Sequence, residues 1–241
     1  MYGLRFFPKK LILRLFVQSE NTHLSNRPMA TQKRVFNLII LDESGSMESI
    51  KQPTISGFNE LVQTIKAVEE KHPDQEHYIW LLTFNGLGTK MLLKNEPVSK
   101  LKELDAEKYQ PASLTPLYDA MGEGLTKLRA HLADQSDYNV LVTILTDGEE
   151  NRSKEYDGKA IKALVDDLKG KGWTFTYIGA NHDVDKFAST ISINNTMSFQ
   201  ATVEGTKAMF GKEKAARMRY SQKISRQEDV GSGFYDDDEK A

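Results

Sequence analysis

Four segments of this chain are too apolar to lie on a sheet with one wet face: residues 35–41 (VFNLIIL), 78–84 (YIWLLTF), 139–145 (NVLVTIL) and 173–179 (WTFTYIG). A half-solvated strand alternates apolar with polar residues. A run that is apolar almost throughout, and rich in β-branched and aromatic residues, needs cover on both faces, as a strand of a parallel sheet has. Helical stripes lie between these runs. Phe58, Leu61, Val62, Ile65 and Val68 share one helical face, as do Leu117, Ala120, Met121, Leu125, Leu128 and Leu132. Ile161, Leu164, Val165 and Leu168 repeat the pattern, and Gly170 and Gly172 supply the stop and the turn into the last run. Strands alternating with helices predict an α/β domain, a three-layer α/β/α sandwich around a doubly wound, mostly parallel, Rossmann-like sheet. Residues 89–93 (TKMLL) alternate and predict an edge strand antiparallel to its predecessor. A last short strand is expected near 196–200.

The 241 residues suffice for one such domain, placed at 33–200, or at most for two small ones. Residues 1–32 are expected to be an N-terminal extension, disordered or added by an upstream start site, because Met29 opens a short polar leader into the first strand. Residues 1–28 should then be dispensable. Their basic, apolar text (MYGLRFFPKKLILRLFV) makes a poor signal peptide, since Arg14 interrupts the run Leu11–Val17 and no small-residue cleavage pattern follows. An amphipathic anchor or an organelle-targeting segment is the alternative. Residues 201–225 predict a C-terminal helix. Residues 226–241, ending GSGFYDDDEKA, predict a disordered acidic tail.

Net charge is −2, which gives no bulk electrostatic case for nucleic acid or an anionic membrane as partner. The absence of cysteine excludes disulfides and thiolate metal sites and suits a reducing compartment. No apolar run reaches the length of a membrane span. A cytoplasmic setting is the expectation.

The chemistry concentrates where strands end. The first run leads into Asp42-Glu43-Ser44-Gly45-Ser46-Met47, and the 139–145 run into Thr146-Asp147-Gly148-Glu149-Glu150-Asn151. Between them, Ser113-Leu114-Thr115-Pro116 enters a helix with Pro116 at its first turn. Open parallel sheets bind ligands beyond the carboxyl ends of the strands, where strand order reverses, so Asp42 and Asp147 are expected to meet in one crevice. Two carboxylates with the hydroxyls of Ser44, Ser46 and Thr115 suit a hard divalent cation, which takes oxygen ligands. Neutral hydroxyls add ligands without charge, so the ion stays electrophilic toward a further carboxylate from outside.

DESGSM is similar to the DxSxS motif of von Willebrand factor A (VWA) domains, LTPLYDA to that family's threonine loop, and LTDGEEN to its closing aspartate loop. The resemblance spans about residues 33–200, with the three elements in order. It implies an intact metal-ion-dependent adhesion site. Ser44 and Ser46 would be direct ligands, Thr115 a ligand that binds directly or through water, and Asp42 and Asp147 carboxylates that hold the ion, often through water. Mg²⁺ is the expected ion, with Mn²⁺ or Ca²⁺ as alternatives. Glu43, Glu48, Glu149 and Glu150 would make the rim unusually acidic.

Plainer roles compete. Ser and Asp before a helix cap free N–H groups, and Thr-Asp-Gly ends strands in turns. None of the five histidines pairs with another at metal-ligand spacing. Asn181-His182-Asp183 falls near the same sheet edge and is a candidate rim contact. The basic stretch Lys207, Lys212, Lys214, Arg217, Arg219, Lys223, Arg226 predicts a solvated helix face. The leading functional expectation is a non-catalytic module that grips a carboxylate of a partner protein through its ion. The intracellular members of the family imply an adaptor, with an ATPase complex as one partner. The alternative is a metal-dependent phosphohydrolase on a similar three-layer fold, but no motif places a histidine or lysine as acid, base or phosphate clamp. A third reading makes residues 202–241 the binding segment and the domain its scaffold.

Overall fold

The computed structural model describes residues 32–236; the expectations for residues 1–31 and 237–241 lie outside them. The elements are β1 (Lys33–Asp42), α1 (Lys51–Lys71), β2 (Gln75–Asn85), β3 (Gly88–Pro97), α2 (Leu117–His131), β4 (Tyr138–Thr146), α3 (Gly158–Lys169), β5 (Trp173–Gly179), α4 (Val184–Thr190), β6 (Asn195–Ser198) and α5 (Val203–Arg226). A 3-10 turn at Gly45–Ile50 leads into α1. The four apolar runs are β1, β2, β4 and β5, and they form the centre of a six-stranded sheet ordered β3-β2-β1-β4-β5-β6. Every pairing is parallel except that of the edge strand β3 with β2.

Both sheet faces are covered, as the unbroken runs require. Phe36, Leu38 and Ile40 of β1 face a core shared with α2, α3 and α4. Ile39 and Leu41 face the opposite core, shared with α1 and the Met209–Phe210 end of α5. The rest of α5 closes over Val35 and Leu141 through Ala216, Tyr220 and Ile224. The helix at 203–226 is therefore half of one helical layer and lies in the same compact unit as residues 33–200. Helix α4 left no sequence signal: it is seven residues long and buries only Val184 and Ala188, too few turns to display a period.

Two expectations for the C-terminal part fail. Arg217 does not sit on a solvated face; it is buried and donates to Glu213, Asn37 and Thr143. The disordered tail does not begin at 226 either. Phe234 is 4 % exposed, and the Tyr235 hydroxyl donates to Glu213 Oε2 at 2.7 Å. A Gly-rich, acidic text hid two aromatic side chains that fill the α5 flank against Tyr220.

Helices α1 and α5 meet at Gly57, where an added Cβ would overlap the Phe210 ring. Alanine favours a helix over glycine by about 1 kcal/mol, whereas overpacking costs roughly 1–3 kcal/mol. Gly57→Ala is expected to lower stability in urea denaturation by about 1 kcal/mol net. A gain in stability would show that α5 moves aside freely.

Candidate metal centre

The chain winds from β1 outward through β2 and β3, then resumes on the other side with β4, β5 and β6. The reversal falls between β1 and β4, at whose carboxyl ends Asp42 and Asp147 sit. Three loops meet there.

Asp42 is fully buried. Its Oδ1 accepts the Ser44 N–H at 2.7 Å and its Oδ2 the Thr146 hydroxyl at 2.6 Å. The Ser44 and Ser46 hydroxyls lie 3.2 Å apart, and Ser46 Oγ donates to Asp147 Oδ1 at 2.5 Å. The Thr115 Oγ1 and Ser46 Oγ lie 3.8 and 4.0 Å from the position a Cβ on Gly148 would take. The structure thus brings all five residues read from the sequence around one point. Ser44, before the 3-10 turn, makes no side-chain cap bond.

Electrostatics follow from burial. The Asp42 carboxyl is pushed up to about 6, chiefly by loss of solvent, with the neighbouring Asp147 charge the smallest contribution. Asp147 is raised as well, again chiefly by burial. Desolvation therefore outweighs the mutual repulsion of the two carboxylates. Among the described residues, no lysine or arginine bonds to either carboxylate. Two buried carboxylates with neutral hydroxyl neighbours and no cationic partner fit a hard cation, which would favour their charged forms. Among the described residues no three His, Cys, Asp or Glu side chains form a metal cluster, so a site at this point draws its remaining ligands from hydroxyls.

The acidic rim needs correction. Glu43 is buried and turned away, its Oε1 accepting the Gln110 N–H at 2.6 Å and Lys90 Nζ at 3.2 Å. Glu150 is spent on the loop, accepting N–H groups of Tyr118, Arg152 and Ser153 and the Ser153 hydroxyl. Glu48 and Glu149 remain exposed. Side-chain direction at a loop depends on N–H groups supplied from afar, and sequence pattern is blind to it.

Several positioning residues escaped the sequence reading. The buried Tyr109 hydroxyl donates to the Asp42 carbonyl at 2.6 Å. Asn151 clamps the Thr115 backbone from both sides, its Oδ1 accepting the Thr115 N–H at 3.0 Å while its own N–H donates to the Thr115 carbonyl at 3.1 Å. Among the described residues, the Thr115 hydroxyl makes no hydrogen bond. Asp119, in the first turn of α2, accepts three successive N–H groups at Lys154, Glu155 and Tyr156. Of the candidate rim triplet, Asn181 buttresses the site by donating to the Asp147 carbonyl at 3.0 Å. Asp183 caps α4, and both His182 nitrogens are engaged, by Tyr177 and Ala180.

No family profile and no curated protein sequence matches this chain. Solved structures do match in fold. The pilus adhesin SpaC of Lactobacillus rhamnosus GG aligns at 16 % identity and a TM-score of 0.54, over 78 % of this chain and 30 % of its own. The vWF domain of the type V pili tip protein Mfa5 from Porphyromonas gingivalis aligns at 12 % identity and 0.53, over 85 % and 98 %. This chain has the VWA fold. Proximal thread matrix protein 1 of the mussel byssus aligns at 13 % and 0.50, over 77 % and 46 %. The chain spans less than half the length of SpaC and of the byssus protein. The VWA fold accounts for the sheet order and for the placing of three loops at one end of it. No helix among the described residues is long and apolar enough to cross a membrane.

A side chain at residue 148 would reach over the Thr115 and Ser46 hydroxyls. A methyl group there makes only ordinary contacts, so Gly148→Ala should leave the thermal midpoint in EDTA unchanged. It is expected to weaken divalent-ion binding about tenfold, close to 1.4 kcal/mol, measured by calorimetric titration. Unaltered affinity would place the ion elsewhere.

Proposed function

We propose that this chain is a non-catalytic protein-binding module that holds a divalent cation on Ser44, Ser46 and Thr115 with Asp42 and Asp147, and uses it to coordinate a carboxylate of a partner protein. The observation that carries this reading is the convergence of two buried carboxylates and three hydroxyls at the sheet's switch point with no cationic side chain among them. Mg²⁺ suits the set best, because few direct carboxylates leave room for the waters it retains; Mn²⁺ and Ca²⁺ are the other candidates. The bound ion supplies positive charge to an incoming carboxylate. The chain's own residues hold the three loops in register and exclude bulk water from Asp42. Both His182 nitrogens are hydrogen-bonded within the protein, which counts against a phosphoester hydrolysis that would use this imidazole as acid or base. The setting we propose is cytoplasmic, as an adaptor in a larger assembly, with an ATPase complex among the candidate partners.

Ion and partner should bind cooperatively, each raising the other's affinity by the same factor. EDTA is expected to abolish capture of partner proteins from cell extract while leaving the fold intact. Ser44→Ala with Ser46→Ala should act likewise even in Mg²⁺. Capture that persists equally in EDTA would sink the reading, and phosphomonoester turnover lost in Asp42→Ala would replace it with the hydrolase.

A further inference from the structure

Among the described residues, four large apolar side chains stand exposed, and two of these are Leu87, 82 % exposed, and Leu114, 46 % exposed. Leu114 immediately precedes Thr115, and Leu87 stands at the tip of the β2–β3 hairpin. The two loops touch. A Cβ on Gly86 would lie 2.9 Å from the Leu114 nitrogen and 3.2 Å from its Cβ, so the approach requires glycine. A lone exposed leucine needs no explanation. Here two exposed leucines stand on loops that touch each other, one of them adjacent to Thr115.

Neither leucine is exposed through slack backbone. The Leu87 N–H donates to Oδ1 of the buried Asn85 at 2.9 Å. Ser113 adopts φ +66°, and its carbonyl accepts the Gly45 N–H at 2.9 Å, tying the Leu114 loop to the serine loop. A partner meeting these side chains has little loop to order, so their burial counts almost fully toward affinity. Beside Leu87 opens a polar cleft of about 540 Å³, with Pro116 and Arg152 among its walls. Of its three acids, Asp119 is committed to backbone N–H groups and Glu123 to Lys127 and Thr89, while Glu155 is exposed. Arg152 and Lys154, which also line it, have no acidic partner among the described residues.

We propose that Leu87 and Leu114 are specificity-determining residues. They take a partner-protein segment in which a bulky apolar residue lies within one or two positions of the acidic residue held at the ion. An extended segment advances about 3.3 Å per residue, which matches an apolar patch one residue away from Thr115. The inference rests on the metal-dependent reading above.

The probe is a displayed library of random heptapeptides, panned on the full chain in Mg²⁺, in EDTA, and on Leu87→Ser/Leu114→Ser in Mg²⁺. Met218→Ser, which removes an apolar side chain 44 % exposed on α5, is the control. The wild type and the control should select an acidic residue with an apolar neighbour. The double variant should select the acidic residue alone, and bind wild-type-selected peptides about tenfold more weakly with its thermal midpoint unchanged. Apolar enrichment undiminished on the double variant overturns the assignment, as does acidic selection with no apolar neighbour on the wild type; both leave the metal reading standing. No acidic selection on the wild type overturns the metal reading and this inference with it. Mg²⁺-dependent self-association in sedimentation, lost in the double variant, would make a second copy the occupant and overturn the proposed heterologous segment.

Discussion

Replacing Arg217 by methionine is expected to cost about 3–5 kcal/mol of stability, the range for breaking a buried ion pair from one side, and to lower the thermal midpoint by on the order of 10 °C. The guanidinium is 3 % exposed and every arm is occupied: Nε on Glu213 Oε1 at 2.8 Å, Nη1 on Asn37 Oδ1 at 2.8 Å, Nη2 on Thr143 Oγ1 at 2.6 Å. Methionine matches its stem but leaves the Glu213 carboxylate, 1 % exposed, with little besides the Tyr235 hydroxyl to stabilise its charge. Were Arg217 on a solvated face, the same change would fall within roughly 0.5 kcal/mol. Glu213→Leu combined with Arg217→Met should recover at least half of the loss, because the stranded charge is gone and only the neutral partners Asn37, Thr143 and Tyr235 go short. Urea denaturation of the two variants decides the matter. A loss below about 0.5 kcal/mol for the single variant would mean that α5 does not depend on this network. His77 lies in the same buried region, hydrogen-bonded to Asn37, and is held down to about 3 by burial and by the Arg217 charge. It therefore stays neutral through the physiological range.

Asp42→Asn is expected to stabilise the metal-free protein while removing its ion site. A carboxyl moved from 3.8 to about 6 corresponds to roughly 3 kcal/mol of preference for the protonated form. Because the folded value is raised, stability from this group is fully present below 3.8 and is lost as pH rises through about 6. Asparagine is neutral throughout. It also fits the local bonds: its oxygen accepts the Ser44 N–H, its amide donates to Thr146 Oγ1, and Thr146 donates instead to the Gly148 carbonyl, already 3.0 Å away. In EDTA at pH 7 the variant should exceed wild type by about 2 kcal/mol, the gap closing toward pH 4. In Mg²⁺ at a hundred times its dissociation constant, wild type alone should gain about 2.7 kcal/mol. A variant less stable than wild type in EDTA would make Asp42 a structural acceptor that needs no ion.

The local text foretold the strands, four of the helices and the residues that meet at the sheet's carboxyl edge. Uninterrupted apolar runs have no stable place except a sheet covered on both sides, and periodicity reports the helix faces that cover it. Asp42, Ser44, Ser46, Thr115 and Asp147 were legible because strand ends in such a sheet share one edge, so residues 105 positions apart in the chain are brought together by topology alone. What the sequence missed depends on partners that no local pattern names. Glu43 and Glu150 turned inward because N–H groups at Gln110, Tyr118 and Ser153 awaited them. Arg217 went inward because Asn37, in the middle of an otherwise apolar strand, and Thr143 of the neighbouring strand left oxygen atoms on the sheet face that α5 covers. Phe234 and Tyr235 gave a polar tail a packed end. A backbone preference or an apolar period is a property of consecutive residues, and survives without the fold. The direction of a polar side chain is a property of its hydrogen-bond partners, and these become neighbours only when the chain has closed.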